Sequence, residues 1–207
     1  ITDFLKGKSV KVLGPSKFAS QLEGSKAFMK NLCKKNNIPT ADFGVFDEYD
    51  KASDFIEKSE IPIVVKADGL AAGKGVLICN SKDEAIIETK KILNGKFKSS
   101  KKVVLEEFLE GEELSYFVLV DKNSYSFFGS AQDHKKVGEG DTGLNTGGMG
   151  AYSPARNLTE DLETKIRNKI IEPTLKAMKA LGYPYTGFLY AGLMIKNGEP
   201  YLIEYNI

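Results

Sequence analysis

The chain of 207 residues holds one histidine, His134, and two cysteines, Cys33 and Cys79. A lone histidine excludes a histidine-rich metal centre. Two cysteines are too few for a disulfide framework and lack the spacing of a structural zinc site, so they read as reduced thiols of a cytoplasmic protein. Charge of either sign is not in excess: 29 Lys and Arg stand against 28 Asp and Glu, a formal net charge of +1. Proteins that bind nucleic acid by displacing counterions carry a basic surplus, so nucleic acid is not the expected partner. No stretch reaches the roughly 18 apolar residues of a membrane span, so no membrane is expected either. Hydrophobic residues at 42% and charged residues at 28% give an ordinary globular balance. The chain starts at Ile1 without an initiating methionine and stops inside the strand-like run Tyr201–Asn206. It is therefore expected to be a segment of a longer protein.

The hydrophobic pattern predicts mixed helices and strands. Lys11–Leu13 reads as a short strand, followed by a helical stretch from near Pro15. A helix from Ser25 presents Phe28, Met29 and Leu32 on one face, and another carries Ala52, Phe55 and Ile56. Residues 61–66 and 76–79 are β-rich. Ser81 and Glu84 form a capping box ahead of a helix that Gly95 should end. Strands are expected at 103–105, 114–120 and 125–128, whereas 132–155 has no periodicity. A helix from Thr159 runs through Leu162, Ile166 and Ile170, with a kink or restart at Pro173 and a stop at Gly182. Strands 188–195 and 201–206 flank Asn197-Gly198, a strong hairpin signal. Strict β-α-β alternation is missing, so the fold class is α+β.

Four segments could carry chemistry. In Asp68-Gly69-Leu70-Ala71-Ala72-Gly73-Lys74-Gly75, small residues let backbone N–H groups approach an anion, and Lys74 adds charge. A strand follows the loop, where a Walker loop needs a helix and a Ser or Thr after its lysine. Lys66, just ahead, is costly to bury unless an anion meets it. The plain alternatives are a ligand-free hairpin and an exposed edge lysine. In Glu106-Glu107-Phe108-Leu109, a strand leaving the core can offer backbone groups to a purine edge, and a carboxylate such as Glu113 can accept from ribose hydroxyls. The alternative is a strand end with its acids in water. The third segment, Gly138 to Gly150, has six glycines in 13 residues, a composition suited to a small polar substrate. Glu204 and Asn206, two apart on a strand, face one side and offer hard oxygens of the kind Mg²⁺ takes, or form a solvated pair.

Together these segments resemble a known family. The strings Val64–Gly75, Gln132–Lys135 and Asn145-Thr146-Gly147-Gly148-Met149-Gly150-Ala151-Tyr152-Ser153-Pro154 closely resemble the glycinamide ribonucleotide synthetases (phosphoribosylamine–glycine ligases) of the ATP-grasp superfamily. So do Gln21–Lys26, Tyr185–Gly192 and Ile203–Asn206, in order along the chain. The resemblance implies an ATP-grasp fold, two α+β subdomains with the nucleotide between them. It divides the chain into a connection over 1–24, a lid subdomain over 25–105 and a core subdomain over 106–207, with N- and C-terminal domains missing. It implies ligation of glycine to 5-phosphoribosylamine through a glycyl phosphate, with ATP and Mg²⁺ or Mn²⁺. Such chemistry needs no protein nucleophile, in keeping with the lack of a Ser-His-Asp or Cys-His grouping.

By the same resemblance, Lys11 and Lys66 contact phosphates, and Gly73, Lys74 and Gly75 belong to a lid over them. Glu106, Glu107, Phe108 and Leu109 form the adenine hinge, and Glu113 is the ribose carboxylate. Lys66, Asp141, Thr142 and Gly143 serve the reacting centre, and Glu204 and Asn206 hold the metal. His134 and Lys135 lie in a family string without an assigned role, and Leu144 stands where the family has proline. Another ATP-grasp carboxylate–amine ligase and a non-catalytic nucleotide-binding module are the competing readings.

Overall fold

The structure, a computed structural model, describes every residue except 70, 72–74, 99, 141 and 147–148, and only the backbone at 136 and 145. The chain divides into two compact units: residues 20–110, and residues 1–19 together with 111–207. The boundaries drawn from the resemblance, 24/25 and 105/106, fall a few residues away from these.

The N-terminal residues begin with α1 (Thr2–Lys6). Beyond it the sequence-based expectation has to be corrected, because residues 10–13 form no strand. Val10 and Leu13 are exposed, so the segment lacks the buried face that would hold it in a sheet. The helix expected from Pro15 begins only with α2 (Gln21–Gly24). Ser16 Oγ accepts from the Ala19 N–H at 3.2 Å, a local bond that offers the backbone a turn in place of a helix.

In the unit of residues 20–110, Ser25 caps α3 (Lys26–Lys35) by accepting from the Phe28 N–H. Then follow β1 (Phe43–Phe46), α4 (Tyr49–Lys58), β2 (Ile63–Ala67), β3 (Val76–Cys79), α5 (Lys82–Leu93) and β4 (Val103–Glu107). The sheet runs β1-β4-β2-β3, antiparallel throughout. Alternation sorts its side chains. Ile63, Val65, Ala67, Val103 and Leu105 pack with Ala52 and Ile56 of α4 and Ala85 and Ile92 of α5. The intervening positions Val64, Lys66, Val104 and Glu106 point to the other face, yet they too are buried. The expected capping box is present in altered form: Ser81 Oγ accepts from the Glu84 N–H, but the Glu84 carboxylate reaches back to the Asn80 N–H.

The other unit is built on a five-stranded antiparallel sheet. Its elements are β5 (Glu112–Val120), β6 (Tyr125–Asp133), β7 (Lys136–Gly138), β8 (Thr142–Asn145), β9 (Ala151–Tyr152), α6 (Glu160–Ile166), α7 (Glu172–Ala180), β10 (Gly187–Lys196) and β11 (Glu199–Asn206). The sheet order is β11-β10-β5-β6-β9, and β7 and β8 pair as a separate ribbon. The stretch over 132–155 that lacks periodicity therefore contains three short strands. Val137 and Leu144 are exposed, so no buried face writes an alternating pattern into the sequence.

A π-helical turn over Arg167–Ile171 joins α6 to α7, and Pro173 follows in the first turn of α7. The wider turn is where the chain absorbs the hydrogen bond that proline cannot donate. Asn197 and Gly198 both have positive φ, 54° and 74°, as the tight β10–β11 hairpin requires. A register shift at Gly192/Leu193 pairs Gly192 with Glu204 but Leu193 with Leu202. This bulge keeps Leu202 and Tyr205 both buried, and it leaves Glu204 on the other face.

Two outcomes follow. Leu105→Ala should lower stability by about 2–5 kcal/mol in urea unfolding, since it opens a cavity in a fully buried strand. Burial pushes the Cys33 thiol up to about 12 and the Cys79 thiol to about 11. A thiol reagent at pH 8 should therefore label both at the rate of unfolding, and rapid labelling of the native protein would contradict the packing.

Candidate active site

The buried face of the smaller sheet carries a charge cluster that its neighbours explain. Lys66 on β2 lies opposite Val104 on β4, and Glu106 lies opposite Val64, so the two charged side chains sit diagonally on one face. Lys66 Nζ binds Glu106 Oε2 at 2.9 Å. Lys30, from α3, reaches the same oxygen at 3.0 Å. Its ammonium also donates to Thr40 Oγ1 at 2.7 Å and to the Ala41 carbonyl at 3.1 Å, and it lies 5.2 Å from the centre of the Phe43 ring. Lys30, Lys66 and Glu106 are 0%, 6% and 3% exposed. Burial lowers the pKa of Lys30, against the opposing pull of Glu106. Glu106 Oε1 is buried without a hydrogen-bond partner among the described residues.

The start of the glycine-rich loop is fastened to α3. Asp68 accepts from Ser25 Oγ at 3.1 Å and from the Ala27 N–H at 3.1 Å, and Lys26 Nζ donates to the Gly69 carbonyl at 3.1 Å. At the far side of the loop, the Gly75 carbonyl accepts from the Ala67 N–H at 2.7 Å. A Cβ on Gly75 would stand 2.5 Å from Ala71 Cβ, so glycine is required there. Gly73, Lys74 and Asp141, all expected to contribute, lie outside the described residues.

Of the hinge residues, Glu107 is exposed, and its carboxylate accepts from the Asp42 N–H at 3.0 Å. Phe108 is half-buried and Leu109 buried. The Glu106 side chain sits inside the cluster, not in water as the plain alternative had it.

In the larger unit, one face of the sheet gathers a second set of polar groups. Glu113 is half-exposed and pairs with Lys135 at 2.9 Å, which also meets Asp133 at 3.3 Å. Burial pushes the Lys135 ammonium down, but hydrogen bonds and charge from Glu113 and Asp133 outweigh it and hold the pKa above the usual value. Tyr190 lies on the same face, with Ser115 Oγ 3.4 Å from its hydroxyl. Burial raises its pKa, with the Glu204 charge adding to the effect. Gly192 makes room for this: a Cβ there would lie 3.0 Å from the Tyr190 hydroxyl and 3.3 Å from Glu204 Cγ. Glu204 and Asn206 share this face, two hard oxygen donors. Among the described residues no group of three or more His, Cys, Asp and Glu side chains could hold a metal. One carboxylate and one amide oxygen fit an ion that takes few protein ligands and completes its shell with phosphate and water, and do not fit a closed zinc site.

Lys11 is exposed, outside any helix or strand. Thr142 opens β8 and donates from its hydroxyl to the Glu139 carbonyl at 2.9 Å, and Gly143 has a φ of 83°. The ribbon is tied down by the His134 N–H, which donates to the Gly150 carbonyl at 2.9 Å, and by Thr146 Oγ1, which donates to the His134 carbonyl at 2.6 Å.

Sequence reasoning missed Lys26, Lys30 and Tyr190 as contributors. The first and last lie in strings that carry the resemblance, which was the available signal. Lys30 gives none, because a lysine within a helix reads as solvated. Glu106→Gln should destabilise the protein by about 3–5 kcal/mol in denaturant unfolding, since it leaves two buried ammoniums without a counter-charge.

Residues 24–207 match the family described as phosphoribosylglycinamide synthetase, ATP-grasp (A) domain. The phosphoribosylamine–glycine ligase of Mesorhizobium japonicum is 50% identical over 207 residues, which is 100% of this chain and 49% of that protein. The crystal structure of phosphoribosylamine–glycine ligase from Thermotoga maritima matches with a TM-score of 0.87 at 41% identity, over 95% of this chain and 50% of that one. The biotin carboxylase domain of Hydrogenobacter thermophilus 2-oxoglutarate carboxylase, crystallised with MgADP, ADP and bicarbonate, shares the fold. Its TM-score is 0.74 at 21% identity, over 99% of this chain and 44% of that one. The chain spans about half the length of the curated relatives it matches. With the match running over 24–207, it belongs to the phosphoribosylglycinamide synthetase family as an ATP-grasp domain.

Proposed function

We propose that the intact protein is an ATP-dependent ligase that joins glycine to 5-phosphoribosylamine. The observation that carries this reading is likeness along the whole chain, at 50% identity, to a phosphoribosylamine–glycine ligase. In this reaction a glycine carboxylate oxygen attacks the γ-phosphorus of ATP, giving glycyl phosphate and ADP. The amine of 5-phosphoribosylamine then attacks the acyl carbon. Phosphate leaves, the amine loses a proton, and glycinamide ribonucleotide results.

The residues serve these steps through charge and position, without a covalent protein intermediate. Lys66 and Lys11 offset phosphate charge, an effect that is largest where water is excluded. The loop ending at Gly75 is the lid, Gly73 and Lys74 included. The backbone at Glu106–Leu109 takes the adenine edge, and Glu113 accepts from ribose hydroxyls. Asp141, Thr142 and Gly143 line the pocket for glycine and the ribonucleotide. Glu204 and Asn206 would hold Mg²⁺ or Mn²⁺, which supplies positive charge to the phosphates when bound. The described helices include none long and apolar enough to cross a membrane, and a cytoplasmic setting belongs to the same reading.

Three measurements test it. ADP should form in quantity only when glycine and phosphoribosylamine are both present with ATP and Mg²⁺. ADP formation without that dependence would indicate another ATP-grasp ligase, and ATP binding without turnover would indicate a binding module. Lys66→Ala should weaken ATP binding by about tenfold or more in calorimetry, since a charged hydrogen bond is lost. Glu204→Ala should move the Mg²⁺ titration of activity to higher concentration, and an unmoved titration would remove Glu204 from the metal site.

A further inference from the structure

We propose that Lys30 is a positioning residue: by holding and neutralising Glu106, it keeps the charge of Lys66 available to an anionic ligand. This rests on the nucleotide reading above and adds to it a residue that touches no substrate.

The charge balance of the buried face leads to this assignment. Two ammoniums meet a single carboxylate. Both use the same oxygen, Oε2, so among the described residues the cluster carries one positive charge more than it carries negative. Cys33, the other titratable group beside Lys30, does not supply the missing negative charge, because burial pushes its thiol up to about 12. The donors of the two lysines are used differently. Lys30 has three fixed partners: it donates to Thr40 Oγ1 and the Ala41 carbonyl and pairs with Glu106 Oε2. It is fully buried among these partners, so a ligand cannot reach its ammonium. Lys66 has one partner among the described residues, Glu106 Oε2, which leaves two N–H donors on an ammonium at the edge of burial. The surplus charge therefore resides on Lys66.

Without Lys30 the balance changes sign in its consequence. Glu106 would have Lys66 as its only counter-ion among the described residues, and a buried one-to-one pair is self-sufficient. A phosphate would then have to compete with a full carboxylate for the same ammonium. Lys30 prevents this by supplying the cation Glu106 needs from a helix anchored to residues 40–41.

The test uses Lys30→Met, which keeps an unbranched chain one atom shorter and removes the charge, and the double variant Lys30→Met/Glu106→Gln, both in the intact protein. ATP affinity is measured by calorimetry, with thermal unfolding as a check on folding. Lys30→Met should bind ATP about tenfold or more weakly, the scale of one charged hydrogen bond. The double variant, with the carboxylate gone and the surplus charge restored, should regain affinity to within about threefold of wild type. A purely structural role for Lys30, through Thr40 and Ala41, would not be rescued by a change at Glu106. If Lys30→Met does not fold, the comparison of the double variant with wild type decides alone. Unchanged affinity in Lys30→Met, or a double variant that binds about tenfold or more weakly than wild type, would overturn the assignment. Failure of the wild-type protein to bind ATP would instead overturn the nucleotide reading itself.

Discussion

A carboxylate removed from water has to be met by positive charge, and the way Glu106 is met organises the smaller unit. Its face of the sheet is buried although it carries an acid and a lysine, which an apolar packing argument alone would forbid. The arrangement is tolerable because three elements converge on one oxygen: β2 with Lys66, β4 with Glu106 and α3 with Lys30. The same helix also receives Asp68 at its N-terminus, so the charge cluster and the start of the glycine-rich loop share one support. A buried ion cluster of this kind adds little net stability. Its value lies in fixing where a residual charge sits.

Both units solve their burial problem in a similar manner. Each sheet turns one face to helices and closes it with aliphatic side chains, α4 and α5 in one case. In the other unit, Leu162 and Ile166 of α6 and Met178 of α7 are buried, along with Leu114, Val118, Leu189 and Leu202 of the sheet. The opposite faces then carry the polar groups, Lys66 with Glu106 in one unit and Glu113, Tyr190 and Glu204 in the other. Strand alternation does this work without special loops, and the one bulge in β10–β11 corrects the phase so that Glu204 emerges on the polar side.

Much of this was legible in the sequence where a local rule and a burial pattern coincide. Ser81 with Glu84 announced α5, Asn197-Gly198 announced the last hairpin, and the β-rich run 61–66 announced β2. Lys11–Leu13 misled because a run of three residues has no period to test, and the chain there found no strand to pair with. The ribbon of β7 and β8 was hidden for the opposite reason, since backbone pairing without a buried face leaves no hydrophobic trace. At the site, Lys66 stood out because a lysine ending a buried strand needs an explanation. Lys30 did not, since only the path of residues 40–41 back toward α3 converts an ordinary helical lysine into a buried one. Glu106 was expected for its backbone, and its side chain proved to be the centre of the cluster.

The chain leaves one unit after Ala19 and returns to it at Gly111, which bears on how the protein comes into being on the ribosome. All strands of the smaller sheet are synthesised before the first strand of the larger one. Residues 20–110 can therefore collapse as a unit before the strands of the unit to which residues 1–19 belong have been made. Gly14 meets Gly187 at a separation that a single added methyl group would fill to 3.1 Å, so a residue ahead of the smaller unit is placed against one made well after it. Residues 1–19 thus reach their final packing only after every residue of the smaller unit has been made.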